Sequence, residues 1–516
     1  MKYIKIIFLA ATVASVSSCT KLEEKVRGTV PLADFKAAAD VPGLLKGCYN
    51  AFRGPFQDQT GVFCMQDMSS DNCLGPTRGG DWDDNGVWRV LHQHTWDPEN
   101  QRIRDNFTNL SNIVFNTTNI QQFDPSAAIK AEALFLRAYA MYYLLDLFNQ
   151  VPFREPGEDL RQPSTVLSGT DALNKIIEDI NAALPDLTDG PATKANKWAA
   201  KALLMKCYIN KGVYANRANP TFDNADLDQV ITLGSEIVAS GKFSLDNIYW
   251  TAFAPENTQV SGEPIFVNEN TNSEAGNVRW AWHASTHYNQ QPSGWNGFAT
   301  LASFYNSFEA ADQRRGDSAR KPDGNAIGYV TDKTGLRVGL LRGQQYGPGG
   351  VALKDRAGNP LVFTDEISSI VTGQVETPGI RVVKYIPDLK PVSGIEEWDN
   401  ANNDYILLRY SDVLLMWAEA KLRKGDNATA LTTVNTIRAK RGASALASIS
   451  EEELLAERGR EMYWESWRRN DLIRFKKFLV SFGSTKPTTD DAKYLVFPIP
   501  TNALAVNPNL QQNPGY

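Results

Sequence analysis

From about Asp97 to Gly241 apolar residues recur at helical spacing, and the pattern divides into several helices. The segment from Ala127 to Phe148 carries Leu134, Ala138, Met141, Leu145 and Phe148 at steps of 4, 3, 4 and 3, which predicts one continuous apolar face. Leu173, Ile176, Ile177, Ile180 and Leu184 repeat the pattern behind a capping Thr170, and Pro185 ends it because proline cannot continue a helix. Asp97-Pro98-Glu99 supplies a cap, a proline for the first helical position and an acid for the first turn. Further helices are predicted from Trp198 to Lys211 and from Leu227 to Ser240, the latter stopped by Gly241. Between about Pro255 and Asn403 the helical period fades into Gly, Asn, Asp and Trp, with Tyr346-Gly-Pro-Gly-Gly350 as a loop signal. Short strands are predicted at Pro264 to Val267 and Arg381 to Tyr385. Helices return at Ile406 to Lys424, Ala428 to Lys440 and Glu451 to Phe478.

Three of these helices share a motif of large apolar residues closed by a small one: Ala133-Leu-Phe-Leu-Arg-Ala138, Ala202-Leu-Leu-Met-Lys-Cys207 and Val413-Leu-Leu-Met-Trp-Ala418. A small residue lets a neighbouring helix approach, and repeated helix pairs bury their faces only by stacking on one another. The expected fold is therefore mainly α, a tetratricopeptide-repeat-like helical scaffold with a loop-rich, minor-β insert that carries the ligand site. The insert is too long for an ordinary loop, so it is expected to pack on the helical body. The boundaries expected are 1–18 for a signal peptide, 19–45 for a tether, 46–254 for a helical region, 255–403 for the insert and 404–516 for a second helical region.

The chain is 516 residues long, 42% apolar and 22% charged, which excludes wholesale disorder and calls for a sizeable packed core. Its 53 basic and 59 acidic residues form no run of five or six like charges, so no broad nucleic-acid surface is expected. Lys2 and Lys5 precede an apolar stretch from Ile6 to Val16, of signal-peptide size and too short to span a bilayer. Ser15-Val16-Ser17-Ser18-Cys19 then reads as a lipobox, which makes Cys19 the acylated N-terminus, and two acyl chains anchor stably where one does not. Cleavage removes Lys2 and Lys5, taking 53 basic residues to 51 against 59 acidic, a charge of −8. Thr20-Lys21-Leu22-Glu23-Glu24 resembles the export signal that sends some bacterial lipoproteins to the outer face of the outer membrane. Of the remaining cysteines, Cys207 lies on an apolar helical face and is expected to be buried and free. Cys64 with Cys73 is the pairing to test among Cys48, Cys64 and Cys73.

Four further segments stand out: Glu132-Ala-Leu-Phe-Leu-Arg-Ala-Tyr139 running on to Val151-Pro-Phe153, then Ala199-Ala-Lys-Ala-Leu-Leu204, then Leu408-Arg-Tyr-Ser-Asp-Val-Leu-Leu-Met-Trp-Ala-Glu-Ala420, and lastly Phe497-Pro-Ile-Pro500 with Asn507-Pro-Asn-Leu-Gln-Gln-Asn-Pro-Gly-Tyr516. With Glu457-Arg458, Glu461, Arg468 and Asp471-Leu-Ile-Arg-Phe475, they resemble the SusD/RagB family of outer-membrane nutrient-binding lipoproteins. The resemblance implies a surface-held helical scaffold and a SusC-like TonB-dependent transporter as partner. Such a protein sits on that barrel as a hinged lid and delivers oligosaccharide, or in some members peptide or another nutrient. Arg137, Glu132, Arg409, Asp412, Glu419 and Arg468 fall on otherwise apolar helices and read as buried charges that satisfy one another.

The apolar C–H face of a pyranose stacks on an aromatic plane while its hydroxyls seek polar partners, and the chain holds twelve tryptophans. Arg279-Trp280-Ala281-Trp282-His283, if extended, puts both indoles on one face about 6.8 Å apart, a platform for adjacent sugars, with His287, Tyr288, Asn289, Gln290 and Gln291 beside it. The alternative is that one or both indoles plug the core. Trp295, in Gly294-Trp-Asn-Gly297, is a further candidate with a structural alternative. An early cluster holds Asp71, Asn72, Arg78, Trp82 and Trp88, and by position the resemblance implies a contribution to the glycan site. Asp81, Asp83, Asn85 and Gly86 match the first half of a calcium loop, but His92 stands where its bidentate Glu belongs. No cofactor is expected. The chain has no G-x-S-x-G, H-E-x-x-H, P-loop or C-x-x-C, and no pair of acids with evident glycosidase placement, so the reading is a binder and not an enzyme.

Overall fold

The computed structural model describes residues 34, 36, 38–270, 278, 280–316, 335–367, 370, 376–388 and 401–516. Cys19, Arg279 and Trp398 lie outside them. Residues Val41–Tyr516 form one compact unit, built on α1 (Val41–Ala51), α2 (Gln101–Ile120), α3 (Ala127–Phe148), α4 (Gly169–Ala183), α5 (Lys197–Ile209), α6 (Asn224–Ala239), α7 (Tyr410–Arg423), α8 (Asn427–Lys440), α9 (Glu451–Met462) and α10 (Arg468–Arg474). Helices α2, α3 and α4 pack in succession, as do α5, α6, α7 and α8. This is the stacking that the repeat motif predicts, and its small residues Ala138, Cys207 and Ala418 are wholly buried. Gly234 shows why such residues matter: a Cβ there would sit 2.7 Å from the Trp417 ring, so α6 reaches α7 only without a side chain. Among the described residues no helix is long and apolar enough to cross a membrane.

Several helix ends differ from expectation. Asn100, not Asp97, caps α2, its side chain accepting from the amides of Arg102 and Ile103. Helix α3 has the expected bounds, but it is buried on all sides from Ala133 to Phe148 and has no single apolar face, since neighbours surround it. Tyr405–Arg409 is a strand and not the first turn of a helix. It pairs antiparallel with Pro264–Asn268, and an apolar run this short does not distinguish a buried strand from a helix. The helix expected from Glu451 to Phe478 breaks between α9 and α10, where Trp464 and Ser466 take left-handed φ values of 59° and 64°. The buried Asp67 carboxylate supports the break by accepting from the amides of Trp464 (3.2 Å) and Ser466 (2.7 Å).

The charges on apolar helices pair as expected except at Glu132, which is half-buried and meets a neutral hydroxyl. Arg137 on α3 holds Asp179 on α4 through two bonds of 2.7 and 2.8 Å. Asp412 accepts from Lys206 and Arg458, and Glu419 takes Arg474 at 2.8 and 2.9 Å. Arg409 sits among Glu263, Glu461 and Glu465 at 2.7–2.9 Å, while Glu132 accepts from the Tyr49 hydroxyl. Burial alone would raise Glu419 and Glu457. Arg474 and Arg423 around the first, and Arg314 and Arg460 around the second, outweigh it and hold both at about 2. Because these folded values lie below the ordinary 4.5, the stability they confer is present above pH 4.5 and is lost as pH falls toward 2. A melting series is therefore expected to drop steeply between about pH 4.5 and 2.

All four described cysteines are free and buried. The Cys64–Cys73 pairing is not formed, since the Cys64 thiol donates to the Gly61 carbonyl at 3.1 Å. Burial pushes Cys48 up to about 12 and raises Cys64, Cys73 and Cys207 as well, which leaves them as unreactive thiols. A thiol titration of the folded protein is expected to find none accessible, and the unfolded chain from Lys21 is expected to release four.

Candidate functional site

The site grows from a tight turn. Arg78 and Asp81 exchange two backbone hydrogen bonds across Gly79-Gly80, with Gly79 at φ 60°, as a two-residue hairpin requires. Beyond the turn Trp82, Asp84 and Asn85 all take left-handed φ values, which is unusual for residues other than glycine. The strained coil lays the Trp82 indole across Gly297, where a Cβ would come within 2.3 Å of the ring. Trp82 Nε1 donates to the Trp295 carbonyl at 2.8 Å. Its ring meets Phe298, Trp88 and Trp295 at centroid distances of 4.7, 5.7 and 6.3 Å. Trp88 is nearly buried, with its Nε1 on Asp84 and the Arg102 guanidinium over its face.

Trp295 is held from behind by the segment expected to be the platform. Trp280–His283 is a helical turn and not an extended strand, and all four of its residues are buried. Trp280 packs into the core against Phe63 and Trp464, so the two indoles form no exposed platform. The carbonyls of His283, Ala284 and Thr286 accept from the amides of Trp295, Gly297 and Asn296, and the His283 ring stacks on Trp295 at 5.3 Å. The Trp280–His283 turn is thus the mount for Trp295 and not the binding surface. His287 turns away to Glu376, and burial holds its pKa below the ordinary value despite that carboxylate.

Two cavities meet here. One, of about 460 Å³, is aromatic, with Trp82, Trp88, Trp295 and Arg102 in its lining. The other, of about 710 Å³, is polar, lined by Arg78, Asn296, Asp355, Arg356, Asn359, Glu376 and others. Asp81 and Tyr288 belong to both and are joined by a hydrogen bond of 2.8 Å. Burial, with Asp81 as acceptor, pushes the Tyr288 phenol up to about 12, so it remains a donor. The lining residues Asp355, Asn359, Pro360 and Val362 belong to a compact array in which the amides of Gln345, Leu353 and Leu361 each donate to the next carbonyl in a closed cycle. That array holds the turn Asp355–Asn359 at the rim. A separate cavity of about 500 Å³ around Glu256, Glu269 and Asp404 has no aromatic lining.

Among the sequence candidates, Arg78, Trp82, Trp88, Tyr288 and Trp295 come together in this cleft. Asp71 and Asn72 do not: Asp71 is clamped by Arg468 through two bonds of 2.7 Å, and Asn72 is buried against Asp67. Trp280, Trp282 and His283 lie beneath the surface. Nor do Asp81, Asp83 and Asn85 fold as a calcium loop. Asp83 is bound to Arg89 and Thr77, Asp81 faces Tyr288, and among the described residues no His, Cys, Asp and Glu cluster converges as a metal site. Sequence reasoning missed Asn296, Asp355, Arg356, Asn359 and Glu376. The turn chemistry of Asp355-Arg-Ala-Gly-Asn359 marks a loop, but nothing local says what it faces.

Residues 368–516 match the family model described as the SusD family, and residues 67–209 match one described as starch-binding associating with outer membrane. The starch-binding protein SusD of Bacteroides thetaiotaomicron is 26% identical over 501 residues, covering 88% of this chain and 85% of that protein. This chain is a SusD-like protein. Among solved structures, the SusD-like fold aligns with a laminarin-binding SusD-like protein at a TM-score of 0.69 and 20% identity, covering 92% and 99% of the two chains. It also aligns with surface glycan-binding protein A from Bacteroides thetaiotaomicron, solved in complex with laminarihexaose, at 0.65 and 16%, covering 92% and 98%.

Proposed function

We propose that this SusD-like protein is a glycan-binding lipoprotein of the outer membrane, anchored through Cys19 on the extracellular side. It captures oligosaccharide and serves as the lid of a SusC-like TonB-dependent transporter. The observation that carries the glycan reading is the half-buried pair Trp82 and Trp295, set at 6.3 Å and 45° beside a polar cavity. Aromatic faces flanked by a few fixed polar groups are what a ligand with apolar faces and hydroxyl edges requires. The relatives named above, with starch, laminarin and glycan in their descriptions, support the same class. The reading is binding without turnover. Asp81 is committed to Tyr288, Asp355 to the amides of its own turn and Glu376 to Arg356 and His287.

Calorimetric titration of the chain from Lys21 against plant, fungal, host and bacterial oligosaccharides, with peptides alongside, tests the reading. Saturable binding of an oligosaccharide with no product released is expected. Binding of peptide alone would move the protein to the peptide-delivering branch, and turnover would make it an enzyme.

A further inference from the structure

Arg381 is distinguished by its partners. Arg137, Arg314, Arg409, Arg441, Arg458 and Arg474 are also wholly buried, and each faces at least one carboxylate within 3.0 Å. Arg381 has 0% exposure, yet its hydrogen bonds all go to neutral oxygens: the backbone carbonyls of Glu376, Pro378 and Gly379 at 2.6–2.7 Å and Asn296 Oδ1 at 3.1 Å. Among the described residues its Nε finds no hydrogen-bond acceptor. Arg78 brings a second guanidinium to the same Pro378 carbonyl at 2.6 Å. An uncompensated buried cation is costly, and among the described residues Arg381 meets no carboxylate. Burial and the nearby Arg78 charge both push Arg381 well below its ordinary pKa.

The cavity above repeats the imbalance. Asn296 lines it, is wholly buried and sits at φ 53°. Because its oxygen is taken by Arg381, its amide orientation is fixed, and among the described residues its Nδ2 has no partner. The acids of the lining are already engaged, as described above.

We infer that the polar end of the cleft receives an anionic group of the glycan, the carboxylate or sulfate of an acidic sugar, with Arg78 and Asn296 as its donors and Arg381 as the charge behind them. The inference rests on the glycan reading of the cleft. The ligand would complete the ion pair that the protein leaves open, while the sugar rings continue onto Trp82 and Trp295.

The test uses two matched pairs in calorimetry: oligogalacturonides against their methyl esters, and sulfated galactan oligosaccharides against the desulfated forms, beside the neutral panel. At least about tenfold tighter binding of one charged form over its neutral partner is expected, as charge-assisted hydrogen bonds imply, and the preference should shrink as salt is added. Preference within the first pair identifies a carboxylate, within the second a sulfate. Asn296→Asp gives Arg381 an internal carboxylate at a position whose left-handed backbone Asp tolerates. It is expected to raise the melting temperature and erase the charge preference. If Asn296→Asp fails to stabilise, Arg381 does not lack a counter-ion and the inference is overturned. Equal affinity for charged and neutral partners, or binding of neutral glycans only, overturns it and leaves the glycan reading intact. Absence of binding to every glycan overturns both.

Discussion

Replacing Trp82 or Trp295 with alanine is expected to weaken oligosaccharide binding by roughly 30-fold or more, the scale of an aromatic hot spot, while moving the melting temperature by only about a few degrees. Trp280→Ala is expected to do the reverse. Trp280 is 1% exposed and packed against Phe63 and Trp464, so its truncation opens a core cavity at a cost of about 3–5 kcal/mol. The three variants separate surface from core. Calorimetry and thermal melts on the same samples measure both effects, and a Trp280→Ala protein that keeps its stability but loses ligand would restore the platform reading.

The second large effect lies far from the cleft. Arg409→Met removes the cation that Glu263, Glu461 and Glu465 share and leaves those buried carboxylates short of compensation. Breaking one side of such a network costs about 3–5 kcal/mol. Arg314 and Arg441 also converge on Glu461, and Arg438 and Arg460 on the neighbouring Glu457, so α9 is fixed at once to α8 and to the segment around Arg314. Urea unfolding followed by circular dichroism is expected to show the loss as a lower midpoint. A midpoint within a few tenths of a molar of the wild type would mean that the network adds no stability.

What the sequence made legible follows the range of the forces involved. Helix α3 has the bounds expected, Ala127 to Phe148, because helical period is a local signal, and the structure caps it locally with Ser126 and Asn149. The strand Tyr405–Arg409 reads as helix because its partner Pro264–Asn268 lies about 140 residues away, and pairing overrides propensity for a short apolar run. The cleft follows the same logic. Trp82 and Trp295 are visible as tryptophans in irregular chain, yet their meeting depends on Gly297 lacking a side chain and on carbonyls at 283–286. The alternation in RWAWH suggests an extended platform, but five residues are too few to choose between a strand and a helical turn. Burial then decides that Trp280 and Trp282 face inward. Asn296 and Arg381 carry no sequence signal at all, because the missing counter-charge is a property of three-dimensional neighbours.

The most direct measurement is a crystal structure of the chain from Lys21 soaked with the oligosaccharide that binds best. Sugar rings are expected against the indoles of Trp82 and Trp295, within about 4 Å as stacked apolar faces require, with the chain running past Tyr288 into the polar cavity. Ligand density in the cavity of Glu256, Glu269 and Asp404, with both indoles bare, would contradict the account.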